Sequence, residues 1–234
     1  MRLLRDFIRK LKYQIKFIGT KKDLDFSFIS TVKTNQDLKK LMDFYGSDKG
    51  GKNNQHNFAQ YYSFLFHNQK DQIQNFLEIG LGTNNLDVPS NMGIDGVPLA
   101  SLRAWKDYFK NAKIFGGDID KKILKNEERI KTFYVDQTDP NSIKQMFKEI
   151  NVNKFDIILE DGLHEFNANI CFFENAIQYL SDNGTYIIED IYYKDQIKFI
   201  KYFEKKPYNF SIIDIYHNKN ISNNCIMIIK KNEK

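Results

Sequence analysis

Short apolar runs alternate with helical patterns over the larger part of the chain. The runs are NFLEIG, KIFGGDID, KTFYVD, FDIILED and GTYIIEDI, and each reaches a glycine or an acid at its end. Helical patterns lie between them, around residues 101–110, 140–150, 166–180 and 194–203. This alternation predicts a parallel sheet with helices on both faces.

The C-terminal part of the chain departs from this alternation. Residues 208–216 and 223–230 are two strand-like runs, and the polar turn between them is too short for a crossover helix. We therefore expect an antiparallel hairpin at one edge of the sheet. The predicted fold class is α/β, a Rossmann-like, doubly wound and mostly parallel sheet with a C-terminal antiparallel hairpin.

The sequence predicts an N-terminal amphipathic helix and a linker over residues 1–35. One domain follows over residues 36–234. Apolar residues recur at helical spacing at Leu4, Phe7, Ile8, Leu11, Ile15 and Ile18. We favour a helix that packs on the domain or on another subunit of a homo-oligomer, and contact with an anionic membrane surface is the alternative. Residues 36–45 and 58–67 predict two further helices.

Composition and charge limit the kinds of partner. The chain has 234 residues and is 41% hydrophobic, which is enough for one substantial core. Of the net charge of +5, residues 1–22 carry +7, so the remainder carries −2. Since a nucleic-acid groove needs basic residues on the functional domain itself, we expect no nucleic-acid partner.

The remaining global features indicate a cytoplasmic protein. Charged residues interrupt the N-terminal apolar pattern, so a signal peptide and a membrane span are both disfavoured. Cys171 and Cys225 lie in apolar surroundings without metal-ligand spacing, and we expect two reduced core residues.

The first strand of the alternating region runs into a glycine turn that is typical of a cofactor site. Gly80 and Gly82 allow the backbone to approach a ligand closely. A dinucleotide fingerprint would need a third glycine where Asn85 stands, which disfavours NAD. Glu78, just before the glycines, suits a cofactor with cationic amino and sulfonium groups, although a helix-capping or loop-anchoring role is the alternative.

The next two strands end in acids that suit the ribose and the adenine of such a cofactor. Asp118 stands where a carboxylate holds a ribose diol. Asp136 and Gln137 follow the third strand and would meet an adenine amino group. For Asp136, capping of the helix that starts near Pro140 is an equally good interpretation.

The fourth and fifth strands deliver a cluster of acids to the same edge. Asp161, Glu189 and Asp190 would be costly together as bare charges, and a divalent cation with oxygen ligands, Mg²⁺ or Mn²⁺, explains them. His164 is the natural proton acceptor beside them. In the alternative interpretation, Asp161 caps the following helix and Glu189 and Asp190 only begin a loop.

Residues 45–191 resemble the metal-dependent sugar O-methyltransferases of macrolide and capsular polysaccharide biosynthesis, which are class I S-adenosylmethionine-dependent enzymes. The resemblance lies in D-x-x-H and E-D at Asp161, His164, Glu189 and Asp190, in the segment Tyr45-Gly46-Ser47-Asp48-Lys49-Gly50 with His56 and Tyr62, and in Ser101-Leu102-Arg103-Ala104-Trp105. It implies that residues 36–72 cover the cofactor. Ser47, Lys49 and Ser101 would contact the cofactor, and Trp105 would support its pocket or form plain core.

The resemblance implies methyl transfer to a hydroxyl of a nucleotide-linked sugar or glycan precursor, for a capsular or surface polysaccharide. His164 would be the base and the three acids the metal ligands. Two alternatives remain open: a methyltransferase that acts on a catechol or another small diol, and a non-catalytic cofactor-binding module that serves in assembly.

Overall fold

The computed structural model of the protein describes residues 21–24, 36–52, 56–217, 219–220 and 222–232. The predicted N-terminal helix lies outside these residues. Within them, no helix is long and apolar enough to cross a membrane.

One sheet of eight strands forms the centre of the molecule. The strands are β1 (Lys21–Leu24), β2 (Asn75–Ile79), β3 (Lys113–Asp118), β4 (Ile130–Tyr134), β5 (Phe155–Glu160), β6 (Leu180–Ile188), β7 (Tyr208–Ile215) and β8 (Cys225–Lys231). Their order is β1-β7-β8-β6-β5-β2-β3-β4. Neighbouring strands are parallel, except that β8 runs antiparallel to both β6 and β7. The predicted α/β class and the mostly parallel sheet are confirmed.

Among the described residues, six α-helices lie on the two faces of the sheet. They are α1 (Asp37–Tyr45), α2 (Phe58–Phe66), α3 (Ala100–Tyr108), α4 (Pro140–Ile150), α5 (Phe166–Ala176) and α6 (Gln196–Phe203). One face packs against α1 to α3 and the other against α4 to α6. All six helices start within two residues of their predicted positions.

Successive residues of the central strands belong to opposite cores. Phe76 and Ile114 pack with α1 to α3, whereas their neighbours Leu77 and Phe115 pack with α4 to α6. Because side chains alternate across a strand, a strand that is covered on both faces is apolar throughout. This explains why the strands are continuous apolar runs in the sequence.

The C-terminal hairpin exists, but its predicted place at the sheet edge is wrong. β8 lies inside the sheet between β6 and β7. β7 in turn pairs with β1, a strand that the sequence analysis did not identify, with Lys21 opposite Ile212. The four-residue strand β1 therefore forms one edge, which leaves β7 with partners on both sides.

The prediction for the cysteines holds for one of them. Cys225 is fully buried in β8. Cys171 is only half-buried, and its thiol lies 3.5 Å from the carbonyl oxygen of Thr138. It packs against the margin of the core to which residues 172 and 173 of α5 belong, and like Cys225 it is reduced.

Candidate active site

Three neighbouring parallel strands, β2, β5 and β6, end in register at one edge of the sheet. Ile79 pairs with Glu160, which pairs with Ile188 on its other side. The ladder continues one residue further, since the amide of Asp161 donates to Ile79 at 2.8 Å and that of Glu189 donates to Glu160 at 3.0 Å. The register therefore brings the predicted cofactor and metal residues to one crevice.

Gly80 is required by a close approach of two loops. Its φ is +88°, and a Cβ on it would lie 2.0 Å from the carbonyl oxygen of Asp161. Gly82 has a φ of +75° and faces Met92. Gly80 therefore brings the turn after β2 against the turn after β5, and Gly82 brings it close to the 86–100 loop.

A cleft of about 240 Å³ opens at this edge. Eight of the predicted site residues line it: Gly80, Gly82, Asp118, Asp136, Gln137, Asp161, His164 and Asp190. The 86–100 loop contributes Val88, Pro89, Ser90 and Met92 to the wall, and Asp48 lies across from it. The cleft has both apolar walls and carboxylates, as a nucleoside with charged substituents requires.

Asp118 is placed for the predicted ribose contact. It is buried, and its two oxygens accept the amides of Leu81 at 2.7 Å and Asp120 at 2.8 Å. A carboxylate has about four lone-pair positions, so these two bonds leave acceptor positions toward the cleft. Burial raises the pKa of Asp118, while the two backbone amides oppose that rise.

Asp136 does not cap the helix that follows it. The cap of α4 is Asp139, which accepts the amide of Asn141 at 2.9 Å. Asp136 instead accepts the amide of Thr138 at 2.9 Å and remains at the cleft wall. The capping alternative is wrong because Asp139, directly before Pro140, already occupies the cap position.

Gln137 lines the cleft, but its amide is engaged within the protein. Its Nε2 donates to Glu160 at 2.7 Å, and its Oε1 accepts the amide of Leu163 at 2.6 Å. Glu160 is fully buried and also accepts from Asn169. This network holds the segment that carries His164, a role that the sequence analysis did not predict.

The other predicted residues lie beside or beneath the cleft. Ser47, Lys49 and Ser101 line an adjoining cavity of about 30 Å³. Glu78 and Glu189 are fully buried and line neither cavity. Glu78 caps none of the described helices, and burial raises its pKa to about 7 although Lys49 opposes this.

Three residues are placed to share a metal ion. One donor atom each of Asp161, His164 and Asp190 lies within 4.8 Å of the other two. His164 Nε2 is 4.0 Å from Asp161 Oδ1 and 3.8 Å from Asp190 Oδ2. The N-cap of α5 is Glu165, so Asp161 does not cap the helix that follows it. The alternative interpretation of Asp161 as a helix cap is therefore wrong.

Backbone strain occurs at the same place. His164 and Asp190 have φ values of +58° and +55°, in the left-handed region that residues with a Cβ rarely adopt. Each such residue costs about 1 to 2 kcal/mol. Both strained residues belong to the metal-capable set, so the fold holds these two side chains in position against a local cost.

Burial controls the charge of the cluster. It raises the pKa of Glu189 and of Asp190 well above the usual range, and it lowers the pKa of His164, which keeps that imidazole neutral near pH 7. Asp161 behaves differently: burial is opposed by the Lys49 ammonium, which lowers the pKa of the carboxyl. The Nδ1 atom of His164 is buried and has no hydrogen-bond partner among the described residues.

Several contacts of the site were not predicted. Tyr62 donates to Glu189 at 2.5 Å, and its ring lies 5.6 Å from the ring of Trp105. Trp105 is fully buried and stacks on Phe109, so it is core that supports the site through Tyr62. His56 Nδ1 lies 3.2 Å from Asp190. His56 and Tyr62 carried the family resemblance, but only the structure shows what they touch.

A second cavity adjoins the cleft on the other side of His164. It has a volume of about 440 Å³ and shares Ser90, Leu163 and His164 with the cleft. Its remaining wall is strongly polar and consists of Glu165, Phe166, Asn167, Tyr192, Lys194, Asp195 and Lys198. Hydrogen-bonding groups of both charges line it, so it suits a hydroxyl-rich ligand better than an apolar one.

No family model matches the chain. Among curated proteins, it is similar to the 8-demethyl-8-alpha-L-rhamnosyl tetracenomycin-C 2'-O-methyltransferase of Streptomyces olivaceus, with 32% identity over 147 residues, or 63% of this chain and 35% of that protein. It is also similar to the mycinamicin VI 2''-O-methyltransferase of Micromonospora griseorubida, with 32% identity over 67% of this chain and 36% of that protein.

The chain is also similar to solved structures of methyltransferases. The MycE methyltransferase of mycinamycin biosynthesis, in complex with Mg and SAH, aligns with a TM-score of 0.57 and 28% identity over 70% of this chain and 39% of its own. The chain thus spans less than half the length of these relatives. The chain belongs to the class I methyltransferases by fold and is a relative of the sugar O-methyltransferases.

Proposed function

We propose that the protein is an S-adenosylmethionine-dependent O-methyltransferase that methylates a sugar hydroxyl with the help of a divalent cation. The observation that carries this proposal is the position of His164. It lies between a nucleoside-sized cleft and a polar cavity and contributes to the walls of both. A methyl donor on one side and a hydroxyl acceptor on the other would meet at this residue.

The cleft fits S-adenosylmethionine, which would supply the methyl group. Asp118 would hold the ribose hydroxyls, and the backbone at Gly80 and Gly82 would face the amino-acid portion. Asp136 would meet the adenine. The carboxylate of Asp161, at the cleft wall, favours a ligand with cationic groups, since opposite charges attract strongly in a partly buried site, whereas Glu78 lies beneath the wall.

The donor set fits a divalent cation such as Mg²⁺. Asp161 and Asp190 would hold it, with Glu189 as a further ligand, and it would act as a Lewis acid that lowers the pKa of a bound hydroxyl. His164 would accept the proton of that hydroxyl, because burial lowers the pKa of its imidazole and keeps it neutral. The fold keeps His164 and Asp190 in the left-handed region despite its cost, which supports a role that needs both side chains in fixed positions.

The polar cavity supports a sugar over a catechol as the acceptor. Asn167, Asp195 and Lys198 offer donors and acceptors for hydroxyl groups, and Tyr192 offers a ring face. The curated relatives carry names of enzymes that methylate sugars on antibiotics. A nucleotide-linked precursor of a capsular or surface polysaccharide remains our expectation for this chain, and these relatives do not support that choice of pathway.

The test is methyl transfer from S-adenosylmethionine to a panel of sugars, nucleotide sugars and catechols, followed by mass spectrometry. We expect transfer to a sugar that depends on Mg²⁺. His164→Ala should bind S-adenosylhomocysteine and Mn²⁺ normally and lose most turnover, whereas Asp161→Ala should lose both Mn²⁺ binding and the turnover that depends on the metal. The matched controls are exposed positions, His67→Ala and Asp71→Ala, which should stay fully active.

The same panel can reject the proposal. Full activity in His164→Ala would exclude that residue as the base, and loss of Mn²⁺ binding in this variant would make it a metal ligand instead. Transfer only to catechols would support the other enzymatic interpretation. Tight cofactor binding without transfer to any acceptor would leave the non-catalytic module as the better account.

A further inference from the structure

Lys49 is a buried cation at the centre of the acidic cluster. It is 2% exposed, and its Nζ donates to Asp161 and, at 2.6 Å, to Glu189 Oε2. A third carboxylate, that of Glu78, lies 3.7 Å away. Lysine is almost never fully buried unless it is paired, so this position needs an explanation.

The carboxylates around Lys49 are themselves committed to it. Both oxygens of Glu189 are used, Oε2 by Lys49 and Oε1 by the Tyr62 hydroxyl at 2.5 Å. Glu78 and Glu189 are fully buried, so water cannot compensate their charge. Among the described residues, the Lys49 ammonium is the cation that contacts both of these carboxyl groups.

Asp161 connects Lys49 to the metal-capable set. Its Oδ2 accepts from Lys49, while its Oδ1 lies 4.0 Å from His164. Glu189, by contrast, does not belong to the set of donor atoms within 4.8 Å of one another. An ion that used Asp161 and Glu189 would have to share them with the ammonium or displace it.

We propose that Lys49 is a resident counterion for the cluster of Glu78, Asp161 and Glu189 when the metal ion is absent, and that it competes with the metal for Asp161 and Glu189. The competition rests on the metal site of the proposed function, whereas the counterion role stands on the described contacts alone. Lys49 thereby keeps the empty site folded and weakens metal binding, because a positive charge remains beside the ion.

The first arm measures metal-free stability with Lys49→Met, which keeps the length of the side chain and removes its charge. In EDTA its melting temperature should fall by about 8 °C or more, since one partner of a buried ion pair is lost. Lys206→Met is the matched control, because Lys206 pairs with Glu174 at 3.0 Å on the surface, and a shift below about 2 °C is expected. Equal melting of the two variants would overturn the counterion role.

The second arm titrates Mn²⁺ calorimetrically into the same proteins. Lys49→Met should bind Mn²⁺ about tenfold more tightly than the wild type, because a repulsive charge is removed and two ligands are released. Lys206→Met should match the wild type. Unchanged or weaker binding in Lys49→Met would overturn the competition and make Lys49 a residue that orders the ligands.

A double variant covers the case in which Lys49→Met does not fold. Lys49→Met with Glu189→Gln removes both charges of the pair, so it should be soluble without metal and melt above the single variant. A double variant that is no more stable would contradict the charge account. If no protein binds Mn²⁺, the proposed metal site and the competition both fail, while the melting arm still decides the counterion role.

Discussion

Replacement of Gln137 by leucine tests whether a buried amide holds the segment that carries His164. The wild-type amide makes two hydrogen bonds, to Glu160 at 2.7 Å and from the amide of Leu163 at 2.6 Å. Leucine has nearly the same size and makes neither bond. The variant therefore leaves the Leu163 amide without this acceptor and Glu160 with one donor fewer.

The magnitude follows from these two bonds. A hydrogen bond to a charged group contributes about 1.5 to 3 kcal/mol and a neutral one about 1 kcal/mol, while the buried leucine recovers part of this by apolar contact. We expect a net loss of about 2 to 3 kcal/mol in the free energy of unfolding. For a chain of this size, the melting temperature should fall by roughly 4 to 12 °C.

Urea unfolding of Gln137→Leu and Gln145→Leu makes the comparison. Gln145 donates to Glu149 at 2.8 Å on the exposed face of α4, so the same substitution removes a bond of similar length at the surface. That variant should lose less than about 0.5 kcal/mol. If the two variants are equally stable, the buried network does not hold this segment and the reasoning from burial is refuted.

Three further outcomes follow from the site. Gly80→Ala should destabilise the protein in urea unfolding by at least about 2 kcal/mol more than Gly93→Ala. Both glycines have positive φ, but of the two only Gly80 faces backbone, since its Cβ would lie 2.0 Å from the carbonyl oxygen of Asp161. Equal losses in the two variants would contradict this. Asp118→Asn should weaken S-adenosylhomocysteine binding by about tenfold in calorimetry, and an unchanged affinity would exclude the ribose role. EDTA should abolish turnover and added Mg²⁺ should restore it, whereas turnover that persists in EDTA would exclude the metal.

The central strands could be predicted because burial on both faces leaves a continuous apolar run. Phe76 and Leu77 are adjacent in sequence and pack into opposite cores, so the apolar residues of β2 are consecutive and do not alternate with polar ones, and Glu78 is the buried polar exception. The position of β8 could not be predicted, since a hairpin signal specifies which strands pair and not what lies on their outer sides. The partner of β7 is a four-residue strand in a polar stretch, Lys21–Leu24.

The residues of the site could be predicted better than their contacts. Asp161, His164 and Asp190 are gathered as expected because the register of parallel strands brings their ends together. Lys49 donates to two carboxylates that lie 112 and 140 residues away in the sequence. These contacts depend on how α1 and α2, which cover the site, pack. No local pattern encodes such distances.

The interpretation of Asp136 was undecided for a related reason. Asp136 and Asp139 both precede α4, and only the backbone shows that Asp139 occupies the cap. Gln137 was predicted to meet the adenine, whereas the structure engages both ends of its amide within the protein. Side-chain partners of this kind depend on tertiary packing.

Calorimetric titration of the protein with S-adenosylhomocysteine, with and without Mg²⁺, tests the central claim most directly. The account predicts binding at micromolar strength, because the cleft, the two glycines and Asp118 are already in place. The absence of binding heat under both conditions would contradict the assignment of this cleft to the methyl donor.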